Sequence, residues 1–126
     1  MFAKKIQNFL NSLPRHVYRE VKIVPKSSSS LQLGDLVYFM YYKKNLKKVD
    51  KDEYLGIIVK PIVVCKKTGN RLLTLVKIEE DQYEDVAIHV FDLYKKRPEI
   101  LPENAYRTFI LSNVTNLAVI NAELKT

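Results

Sequence analysis

The sequence predicts a mainly β domain, a small antiparallel SH3-like or partly open β-barrel with an N-terminal α-helix. Three observations lead there. Beyond residue 30 the apolar residues fall in short runs rich in Val, Ile, Tyr and Phe. Turn-forming Gly, Pro, Asn and Ser separate those runs, and no helical repeat lies between them, as a βαβ sheet would require. The expected organisation is a helix and extended arm over 1–30 and the barrel over 31–126.

The chain opens with Phe2, Ile6, Phe9, Leu10 and Leu13 at helical spacing, and Pro14 stops the helix by removing a backbone donor. That apolar stripe is suited to covering the domain's own core; as a partner-binding surface it offers Phe2, Ile6, Phe9 and Leu10. Residues 17–24 alternate as an extended segment. Pro25 and the four serines Ser27 to Ser30 then read as an exposed linker, since neither packing nor periodicity holds them.

Leu33-Gly34-Asp35 reads as a turn entering a strand over 36–42, whose residues are apolar or aromatic on both faces, as in a strand covered on each side. Residues 43–53, dense in Lys, Asp and Glu, read as a long solvated loop. A second strand over 54–65 is broken at Lys60-Pro61, because proline cannot donate to a ladder. Lys66-Lys67-Thr68-Gly69-Asn70 has the composition of a hairpin turn, so 54–65 and 71–79 should pair antiparallel. Residues 86–91 alternate as a further strand, 95–103 form an irregular crossing around Pro98 and Pro102, and two last strands over 106–111 and 116–121 flank the turn at Ser112-Asn113.

With 126 residues, 47% hydrophobic and 28% charged, the chain has a globular composition. Its longest apolar runs fall far short of the roughly 20 residues of a membrane-spanning helix. The polar residues among the first ten do not resemble a signal-peptide core, and one cysteine, Cys65, permits no intrachain disulfide, so an intracellular, cytoplasmic setting or a virus particle is expected. Cys65 lies in an apolar run and reads as a small buried hydrophobe. The net charge of +7 is segregated, with +11 over residues 1–77 (16 Lys/Arg against 5 Asp/Glu) and −4 over 78–126 (5 against 9). Such polarity favours an anionic partner, or ordered contact between protein neighbours.

Catalytic and cofactor chemistry find no motif. His16 and His89 are far apart and match no metal-ligand spacing, and the acidic run Glu79, Glu80, Asp81, Glu84 and Asp85 lacks the ligand pattern of a calcium loop. The three glycines form no phosphate cradle. No cofactor, metal or small-molecule substrate is therefore expected, and the chain is read as non-enzymatic.

Two binding functions remain. The first is an interaction or assembly module, a structural subunit of a larger complex, with a viral particle among the assemblies that fit; its helix and arm would dock on protein subunits. The alternative is a barrel that binds nucleic acid without sequence preference. There Lys43, Lys44, Lys47, Lys48, Lys66, Lys67 and Arg71 would contact phosphates while Tyr41, Tyr42 and Tyr54 stack on bases. The excess of Lys over Arg, 16 against 5, suits diffuse charge better than base reading.

Overall fold

A strand that is apolar on both faces needs cover on both sides, and 36–42 is such a strand. The computed structural model describes residues 4–12, 18–44, 49–79, 81 and 96–124. In chain order these form helix α1 (Lys4–Ser12) and strands β1 (Tyr18–Pro25), β2 (Leu36–Lys44), β3 (Val49–Ile58), β4 (Val63–Val64), β5 (Arg71–Lys77), β6 (Tyr106–Ile110) and β7 (Val114–Leu124). All seven strands join one antiparallel sheet in the order β1-β7-β2-β3-β5-β4, with β6 paired to β5. Leu75 of β5 shows how that works: it pairs with Ile58 on one side and Arg107 on the other.

β2 is central, with Val37 paired to Gly56 of β3 and to Val119 of β7. One face, carrying Leu36, Tyr38, Leu55, Ile57 and Ile120, is covered by α1 through Ile6 and Phe9, both fully buried. Burial of each such side chain contributes roughly 1.5–3 kcal/mol. The opposite face buries Val37, Phe39 and Tyr41 against Leu73, Leu75 and Phe109. Phe39 and Phe109 meet edge-to-face with ring centroids 5.2 Å apart, although β3 and β5 separate their strands. The sheet must therefore curl until β6 comes over β2. It does not close: after β6 a single 3-10 turn, Leu111–Asn113, carries the chain to β7, which pairs with β2 and β1 rather than with β6.

Local chemistry accounts for the joints. At Gly34, φ is +84°, and the Asp35 carboxylate accepts the Gln32 N–H at 2.8 Å, which fixes the turn into β2. Along β7 the register slips from Tyr38↔Ala118 to Met40↔Thr115, and the extra residue is accommodated at Asn116, φ +55°, a conformation asparagine tolerates. No acidic residue lies in the first turn of α1; instead Glu53 of β3 reaches it, its Oε2 accepting the Lys5 N–H at 3.0 Å. A carboxylate there satisfies an orphan donor and complements the helix dipole.

Several sequence expectations change. Residues 43–53 are not one long loop: β2 and β3 stay paired out to Lys44↔Val49, and the register sets Lys43 opposite Asp50. An antiparallel strand can carry a polar face, so charge alone did not exclude strand. The serine segment is likewise tied down. Ser28–Ser30 forms a 3-10 turn closed by Ser30 N–H and Oγ on the Ser27 carbonyl, and Lys26 N–H donates to Leu117 O at 3.1 Å. Within the segment read as extended, β1 pairs with β7 from Tyr18↔Leu124 to Pro25↔Ala118. The strand read over 86–91, together with His16 and His89, lies outside the described residues. Among those residues no helix is long and apolar enough to cross a membrane.

Candidate docking clefts

Lys60-Pro61 interrupts the strand that began as β3, and when the chain re-enters the sheet it does so for two residues only, Val63 and Val64. A strand this short pairs with Leu72 and Arg71, and both valines are exposed, at 53% and 60%. The turn that follows is closed by Cys65 N–H to Asn70 O and Gly69 N–H to Cys65 O, both 2.7 Å, with Gly69 at φ +73°. It returns the chain to Arg71.

Arg71 is exposed and stands at the junction of two clefts. The larger, about 460 Å³, has Leu111, Val114 and Leu117 in its walls and Lys26, Asn70 and Ser112 among its polar groups. The smaller, about 350 Å³, lies between the serine turn and β4 and is walled by Leu31, Leu33, Ile62 and Val64. Ser28 and Arg71 belong to both. No carboxylate and no aromatic ring is among the described residues lining either cleft. Leu33, 46% exposed, extends the apolar surface beside them.

The described basic residues of the sequence-predicted site fall into two groups. Lys43 and Lys44 end β2 at one tip of the sheet, with Lys47 and Lys48 outside the described residues; Lys66, Lys67 and Arg71 lie beyond the other end of β3. Tyr41 and Tyr54 do not flank the basic tip as stacking platforms. They are buried to 9% and 7% exposure, and each packs its ring on Phe39 and Phe109. Tyr42 is half-buried on β2. Among the partner-binding residues proposed on the helix, Ile6 and Phe9 are core side chains, and Leu10 packs partly buried beside them. Phe2 lies outside the described residues. An amphipathic stripe looks the same in sequence whether it covers its own sheet or a neighbour's.

Cys65 is corrected too. It is half-buried at the start of the hairpin rather than in the core, and hydrogen bonding by the Thr68 hydroxyl, with help from the Thr68 and Lys67 backbone, pulls its thiol below the usual range. Of the residues lining the clefts, the sequence singled out Arg71, as a phosphate contact, and not the others. A valine pair trapped between a proline and a hairpin turn was a usable signal, being too short a strand to acquire cover. Lys26, Ser28 and Ser112 gave none, because only the paired register joins their segments. Among the described residues no group of three or more His, Cys, Asp or Glu side chains is placed to hold a metal ion.

The fold and clefts define a class, a small mainly β domain of one curled antiparallel sheet with a single described helix and an apolar, cationic surface around its shortest strand. Searches of protein-family models, curated proteins and solved structures gave no match to the chain.

Proposed function

We propose that this domain is a non-enzymatic interaction module that docks onto a protein subunit of a larger assembly, with a viral particle as one such assembly, through the surface around β4. The observation that carries the reading is the exposure of Val63, Val64 and Leu33 beside two clefts with apolar walls. Aliphatic side chains left at an uncovered sheet edge are a liability in isolation and a contact surface in a complex. The meander β2-β3-β5-β6, the 3-10 turn after it and the return of β7 to β2 support a finer reading of the fold as a partly open SH3-like barrel.

The test is recovery of a stoichiometric protein complex from the native source with the wild type and with a Val63→Asp/Val64→Asp variant that keeps the wild-type unfolding midpoint. Loss of the complex in the variant supports docking at β4; undiminished recovery removes the surface from consideration.

A second reading is favoured by one placement. Lys66, Lys67 and Arg71 are all exposed at one hairpin, a cationic tip that could neutralise phosphates of single- or double-stranded nucleic acid without sequence preference. It predicts affinity that falls steeply with salt and falls again when these three residues become serine. Changing Lys43, Lys44, Lys47 and Lys48 to serine tests whether the opposite tip contributes. Binding insensitive to salt ends the reading.

A further inference from the structure

Arg71 stands between two apolar-walled clefts whose described linings hold no carboxylate. A guanidinium in that position is a fixed positive charge, with a fork that recognises a planar anion. The wall on either side is aliphatic: Leu111, Val114 and Leu117 in one cleft, Leu31, Ile62 and Val64 in the other. Positive charge lies beside them, with Lys26 inside the larger cleft and Lys60, Lys66 and Lys67 exposed on the segment containing β4.

We propose that the paired clefts bind one extended peptide segment of a partner protein, an Asp or Glu meeting Arg71 and flanked on each side by an aliphatic side chain seated in a cleft. This rests on the docking reading and names the partner's chemistry. An extended chain sends side chains alternately to the two sides, so residues two apart share a face; an acid with aliphatic neighbours at ±2 presents all three groups to the surface. The same clefts are poorly suited to single-stranded nucleic acid. Its bases gain affinity by stacking on aromatic rings, and the described linings contain none, while Tyr41 and Tyr54 are spent in the core.

The experiment is a selection from a library of short blocked peptides on the intact protein, followed by titration of the enriched sequences, with an oligothymidylate as competitor. The expected result is enrichment of aliphatic-x-(Asp/Glu)-x-aliphatic sequences, whose affinity falls about tenfold or more in Arg71→Glu. Lysine-centred versions of the same peptides should bind Arg71→Glu better than wild type, an exchange of preference that an unfolded variant cannot mimic. Enriched peptides that ignore Arg71→Glu but are lost in Val63→Asp/Val64→Asp overturn the paired-cleft inference and leave docking at β4 standing. No enrichment at all overturns the inference and removes support from both. Displacement of the peptides by the oligothymidylate overturns it in favour of nucleic acid.

Discussion

Tyr41 Oη accepts a hydrogen bond from the Ile110 backbone N–H at 3.1 Å, tying β2 to the end of β6 across the side of the sheet that no ladder closes. The next residues, Leu111–Asn113, turn the chain toward β7, and Leu111 and Ser112 line the larger cleft. The curl of the sheet and the position of the cleft wall thus share one joint, sealed by the rings of Phe39, Tyr41, Tyr54 and Phe109.

Removing that hydroxyl tests the joint. Tyr41→Phe leaves a partly buried N–H without its acceptor and should cost about 1–2 kcal/mol, whereas Phe109→Ala, which empties the seal, should cost about 3–5 kcal/mol. Denaturant midpoints measure both. Equal losses would mean that the hydrogen bond and the ring packing are not separable as described.

Gly56 is held to glycine by space rather than by backbone angle. A Cβ there would stand 2.5 Å from Leu75 Cδ1 and 2.7 Å from the Val76 carbonyl oxygen, and backbone cannot move aside as a side chain can. Gly56→Ala should lower stability by roughly 1–3 kcal/mol, read as a shifted midpoint with unchanged denaturant slope. An unshifted midpoint would place β3 and β5 further apart than described.

Tyr38 supplies a pH dependence. Its hydroxyl donates to Glu53 Oε2 at 3.2 Å, and burial first, then the Glu53 charge and that hydrogen bond, push its pKa up to about 12 from an ordinary 10. Between those values the unfolded chain has released the proton and the folded chain keeps it, so the folded state binds more protons and loses stability as pH rises. The contribution is complete below pH 10 and disappears as pH passes 12. In Tyr38→Phe the fall in stability over that window should be shallower than in wild type, and the late phenolate absorbance step should vanish. Identical profiles would contradict the assignment.

Cys65 should alkylate at neutral pH faster than an ordinary surface thiol, because the Thr68 hydroxyl favours the thiolate. Thr68→Val should slow iodoacetamide modification, and Thr68→Ser, which keeps the hydroxyl, should not. Equal rates in all three would detach the effect from Thr68.

Much of the fold was legible because its signals are local. The double-faced apolar run of β2, the break at Lys60-Pro61, the Gly69 turn and the Ser112-Asn113 turn each impose their geometry on their own neighbourhood, and all appear where expected. The outer half of the β2–β3 hairpin was hidden because a charged strand and a charged loop share a composition. Where the sheet stays open was not legible, because nothing within β6 or β7 indicates that the two would go unpaired. The site was the least legible part. Tyrosines beside lysines read as a stacking platform, yet alternation on β2 turns Tyr41 inward, and Tyr54 points to the same core. The clefts arise where residues 26–33, 61–71 and 111–117 are brought side by side by pairing partners that composition does not name.

The most direct measurement is amide hydrogen exchange on the native complex against the free protein. Docking at β4 predicts new protection over residues 26–33, 62–71 and 111–117, with the β2–β3 tip at 43–50 exchanging as before. Protection confined to that tip, with Val63, Val64 and Arg71 unchanged, would contradict the account.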